Sequence, residues 1–229
     1  MNLLNQNKTV GILTVLSGKI ALLCMIFGAI AVNYHFEVFN NPALMLTLPG
    51  VNAEASRWSI ICDMLGYYML LLPVIYYLHD WMKDKTPWSS LITFCGLAYV
   101  LIGSIGASIL AVAYPQALQT YTDATHAMQP IIKSNFEFVN NMVYGGMWNL
   151  LEVLFAGIWW LFTGLLLLKA KRKAIGLVSV ITGGACVLDG FSGMIESATL
   201  HEITLNVYLY ISILWAFWMG ILIYRKPLQ

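Results

Sequence analysis

VNNMVYGGMWNLLEVLFAGIWWLFTGLLLL, residues 139–168, holds a single charge, Glu152, and stops at the basic run Lys169-Ala170-Lys171-Arg172-Lys173. A bilayer's hydrocarbon core is about 30 Å thick and takes about 20 helical residues to cross, so this stretch is long enough to span one. Inside lipid the backbone must satisfy its own hydrogen bonds, and an uninterrupted apolar run does so as a helix. Strands of a membrane barrel would be about ten residues long with alternating polarity, and no such alternation occurs here. The basic run reads as a topology signal at a cytoplasmic interface. As a lipid-phosphate site it is short.

Working outward from this stretch, five more of the same kind can be drawn, giving approximate spans 10–33, 58–79, 89–113, 139–168, 174–196 and 204–224. The expected fold is all-α, a polytopic integral membrane protein in which residues 1–229 form one transmembrane helical bundle of about six spans. Composition agrees, since 59% of the 229 residues are hydrophobic and 10% charged. Soluble domains run at about 45–50% and about 25%. A net charge of +1 lacks the basic face that a nucleic-acid partner needs, so none is expected. The partner that the composition does imply is the lipid bilayer.

Threading six spans puts Lys8, Lys83, Lys85, Lys169, Lys171, Arg172, Lys173, Arg225 and Lys226 on one side, nine residues against Arg57 and Lys133 on the other. The positive-inside rule then predicts both termini in the cytoplasm. The first span is longer than the 7–15-residue apolar core of a signal peptide and is interrupted by Lys19, so it reads as a retained helix. Cys24, Cys62, Cys95 and Cys186 lie within spans and form no C-x-x-C pair, which reads as apolar packing. The larger connections, residues 34–57 and 114–140, fall outside and are acidic, with enough chain for a partial cap. Within the second, Ser134-Asn135-Phe136-Glu137 has the form of a capping box, predicting a fourth helix that begins near Asn135. Gly103, Ala107 and Ala111 form a small-residue stripe, for packing within the chain or for self-association.

The informative residues are ionisable groups inside spans, each costing at least about 2.5–3.5 kcal/mol at mid-membrane unless paired or hydrated. They are Lys19, Asp63, Glu152 and Asp189. At 1.5 Å per residue the three acids sit roughly 22–25 Å from the cytoplasmic surface, and Lys19 lies lower, about 14 Å from it. Each acid has polar company at helical spacing: Ser59 and Tyr67 with Asp63, Asn141 and Trp148 with Glu152, Ser192 and Glu196 with Asp189. Tyr208, Ser212 and Trp215 line the sixth span. One expectation is an outward-opening pocket in which Asp63, Glu152 and Asp189 are counter-charges and Tyr67, Asn141, Trp148 and Trp215 help line the site, with cation–π contacts from Trp58, Trp148 and Trp215. Like charges that close would not all ionise, so one would hold a proton near neutrality. The other expectation is that each acid is satisfied separately within the bundle. Lys19 is expected to pair with Asp189 or Glu152 in a structural ion pair. His35, His126 and His201 fall on the outer side and are weak candidates for a metal site, because no second ligand follows at i+3 or i+4.

Residues 55–58 (ASRW) with 62–73 (CDMLGYYMLLLP), and 148–152 (WNLLE) with 159–168 (WWLFTGLLLL), resemble an uncharacterised family of small six-helix bacterial membrane proteins, known as a domain of unknown function. The resemblance implies a bacterial inner-membrane location and brings no activity or cofactor with it. From the residues themselves, the leading expectation is binding or transport of a small cationic or amine-bearing molecule. An accessory subunit of a larger membrane complex is the alternative. A membrane-embedded enzyme using outer-face carboxylates or a histidine-bound metal is the third reading.

Overall fold

The computed structural model describes residues 3–39, 41–226 and 228, and among these it contains helices and turns but no strand. Six helices carry the fold: α1 Leu3–Ala31, α2 Ala53–Met82, α3 Ser89–Asp123, α4 Gln129–Lys169, α5 Lys173–Met194 and α6 Ala198–Arg225. All six are long and apolar enough to cross a membrane. Every helix packs on its neighbour in sequence, and α1 closes the ring against α6. Residues 83–88 and 170–172 join helices at the basic end, while residues 32–52, 124–128 and 195–197 join them at the opposite, loop end.

Glycines set two of the tightest helix contacts. A Cβ at Gly11 would meet the Gly220 carbonyl at 2.7 Å, where α1 crosses α6. One at Gly164 would meet the Val180 amide nitrogen at 2.7 Å, where α5 lies against α4. Small residues of this kind let helices approach without a water-driven core. The outer surface of the ring is apolar, with Phe94, Leu101 and Leu214 each more than half exposed.

Two regions depart from the expected connections. Residues 114–140 are not a loop, because α3 continues to Asp123 and α4 begins at Gln129. The tie is Tyr114, whose hydroxyl donates to Asn140 Oδ1 at 2.6 Å and whose ring packs on Phe136 at 5.1 Å. The capping box does not form either. Pro130 opens α4, where its missing N–H is not needed. Glu137 sits mid-helix and faces Lys133 at 3.9 Å. The first connection folds back as two 3₁₀ turns, Phe36–Phe39 and Pro42–Leu46, burying Val38, Met45 and Leu46 in a second core at the loop end.

Neither α2 nor α4 is regular throughout. A π-helical turn, Met64–Tyr68, and a 3₁₀ turn, Met69–Leu71, interrupt α2 just before Pro73. In α4 the π-helical stretch runs over Asn141–Glu152. Such segments concentrate at functional sites, and both here end on residues of the site described next.

Candidate functional site

Glu152 is the last residue of the α4 π stretch and Tyr68 the last of the π turn in α2. The Tyr68 hydroxyl donates to Glu152 Oε2 at 3.1 Å, and the Tyr208 hydroxyl of α6 donates to Oε1 at 3.3 Å. Tyr208 is also 3.4 Å from the hydroxyl of Tyr99 on α3, which in turn donates to the Tyr67 carbonyl at 2.5 Å. Four helices thus meet at one carboxyl group. Its side chain is 2% exposed. Beneath it lies an aromatic layer, in which Trp160 contacts Tyr99 at 5.3 Å, Tyr208 at 5.7 Å and Trp215 at 5.7 Å. The Trp215 indole N–H donates to Ser179 at 2.8 Å. The indole N–H groups of Trp159 and Trp160 are buried with no partner.

Asp63 and Asp189 both lie within Coulombic reach of Glu152. Asp63 keeps one buried carboxyl oxygen without a hydrogen bond. Asp189 is fully buried and holds two donors on Oδ1: His201 Nδ1 at 2.8 Å and the Thr204 hydroxyl at 2.7 Å. Its Oδ2 is buried and has no partner. On the far side of the imidazole, His201 Nε2 faces the Asn149 amide nitrogen of α4 at 3.4 Å. Neither Lys nor Arg pairs with Asp63, Glu152 or Asp189 among the described residues. A small void beside Tyr67 and Tyr99 measures about 10 Å³, room for about one water molecule.

Several expected site residues sit elsewhere. Lys19 is exposed on the outside of α1, because the neighbouring Ser17 and Gly18 face the bundle, where Ser17 donates to the Gly66 carbonyl. It makes no ion pair with Asp189 or Glu152. Asn141 is exposed, and Asn140 is the buried amide instead. Tyr67 is buried with its hydroxyl 3.5 Å from the Leu209 carbonyl, leaving Tyr68 to reach the carboxylate. Both shifts have one cause: an arc plotted at 100° per residue fails across π winding, whose hydrogen bonds run i→i+5. Trp58 is 47% exposed and bonded to Glu54. Glu196 lies past the end of α5 at φ 55°, off its stripe. Trp148 is buried against α3, donating to the Gly103 carbonyl at 3.3 Å. Gly103 and Ala107 face inward, Gly103 under the Tyr68 ring, so this part of the small-residue stripe packs within the chain. The histidines do not converge: His35 faces Glu37 and His126 faces Gln129. No group of three metal-ligating side chains occurs among the described residues.

Sequence reasoning did not single out Tyr68, Tyr99, Asn149 or Thr204, and took His201 as a metal ligand instead of a partner for Asp189. The doublets Tyr67-Tyr68 and Trp159-Trp160 were the available signal. Comparison with family models, curated proteins and solved structures finds no match, so the geometry alone carries the functional reading.

Proposed function

We propose that this chain is a multi-pass membrane protein, basic end in the cytoplasm, that binds or transports a small cationic species at Glu152, with Asp63 and Asp189 as neighbouring counter-charges. The nine-to-two basic bias supports the orientation, and the family resemblance supports a bacterial inner membrane. One observation carries the functional reading: three carboxyl groups share an electrostatic neighbourhood in the half of the bundle away from the basic end, with no Lys or Arg paired to them among the described residues. Isolated buried carboxylates are expensive, so such a group is neutralised by protons or by a bound cation. The tyrosine hydroxyls on Glu152 orient the carboxylate without neutralising it. Trp148 and Trp215 remain in the surrounding walls, where aromatic faces add to cation binding.

The test is the melting of purified protein in lipid nanodiscs with a panel of primary amines, quaternary ammonium ions and metal cations. A ligand at 100 times its Kd stabilises by about 2.7 kcal/mol. A stabilising shift is expected for at least one cation, lost in Glu152→Gln. Because protons compete for the same carboxyl groups, the shift should grow as pH rises. If no cation moves the melt, the accessory-subunit alternative replaces this reading.

A further inference from the structure

The Asp189–His201 pair has a form that a purely structural contact does not need. Asp189 is 0% exposed while the His201 side chain is 30% exposed, so one partner is dry and the other reaches the surface at the loop end. Oδ1 takes both His201 Nδ1 and the Thr204 hydroxyl, yet Oδ2 is buried with no donor. Leaving a buried acceptor bare costs about 1–3 kcal/mol, more for a charged group. Asn149, which faces His201 Nε2, stands three residues before Glu152 in the same π stretch. Glu152 itself is packed on all sides, so a proton can exchange there without rearrangement, whereas an amine needs the cage to open.

We propose that His201 and Asp189 form the port through which protons enter and leave the buried carboxyl groups, making the hydron the species exchanged at Glu152. This rests on the cation-site reading above and names its ligand. A proton from outside adds to His201 Nε2, displacing the Asn149 N–H contact. The imidazolium that forms lies against the Asp189 carboxylate, so no isolated charge is created. The Nδ1 proton then passes to Asp189, leaving neutral imidazole and neutral carboxylic acid. Transfer onward to Glu152 restores the Asp189 carboxylate, and the net result is one proton moved inward. Facing Glu152 along this path are Asp63 and Tyr68 from α2, Tyr99 from α3, Asp189 and Cys186 from α5, and Tyr208 from α6. Facing His201 are Asp189 and Asn149, with exposed Glu202 beside it on its own helix.

The experiment is time-resolved infrared spectroscopy of the full chain in nanodiscs after a pH jump. The protonated-carboxyl band that vanishes in Glu152→Gln is assigned to Glu152. His201→Ala should slow its exchange by about a hundredfold, the low end of what a positioned proton carrier contributes. Added imidazole should restore the rate, which rescue of a packing role would not do. Asn149→Ala bares Nε2 and should speed exchange above wild type, keeping the test alive if His201→Ala does not fold. Wild-type exchange in His201→Ala, or an unchanged or slower rate in Asn149→Ala, overturns the port while leaving a cation site at Glu152 intact. A Glu152 band that ignores pH also overturns the port. Loss of every cation-dependent melting shift is the separate result that removes the underlying site.

Discussion

At the scale of single residues, burial separates the charged groups that work together from the one that does not. Glu152 and Asp189 are dry and hydrogen-bonded, whereas Lys19 projects from the outer face of α1. A lysine there snorkels toward the nearer interface instead of pairing inside the bundle. Lys19→Met should therefore melt no lower than wild type in detergent. A fall of several degrees would mean that the ammonium has an internal partner after all. The acids were legible in the sequence because an ionisable residue in an apolar run stands out by its cost. The lysine's placement was not, since one residue of helical phase decides whether a side chain faces protein or lipid. Ser17 and Gly18 take the inward positions by fitting against Gly66 and Phe217, and Lys19 falls to the outside.

At the scale of elements, the π winding is what sequence periodicity missed. A wider turn shifts the phase of everything after it, which buries Asn140 in place of Asn141 and brings Tyr68 to the site in place of Tyr67. No local residue pattern announces the change. The Gly145-Gly146 pair sits inside the α4 π stretch with nothing within 4 Å of an added Cβ at either position. Neither glycine has a positive φ, so alanine fits both backbones. Gly145→Ala and Gly146→Ala should each stabilise the helix by about 0.5–1 kcal/mol, read as a higher melting temperature. If the pair of changes instead lowers the melt, the stretch must flex at these glycines to keep Glu152 in place. The infrared band of Glu152 would then move with it.

At the scale of the whole molecule, length and composition settle the number of helices, but their order around the ring follows from contacts that no single segment encodes. The closure of α1 on α6 depends on Gly11 meeting Gly220, two residues at opposite ends of the chain. What does follow from the chain alone is a direction. The short turns carry the basic residues and the long connections carry the acids, so inside and outside are expected to be as the positive-inside rule assigns them. Single cysteines at Asp84 and Lys171, both exposed at the basic end, should be shielded from an impermeant thiol reagent in intact cells. One at Thr122, exposed at the tip of α3, should react. The native cysteines give little background, since Cys62, Cys95 and Cys186 are buried and Cys24 is half-buried. Reaction at Lys171 from outside would invert the molecule. The His201 port would then open toward the cytoplasm, and any cation bound at Glu152 would exchange with the cell interior instead of the medium.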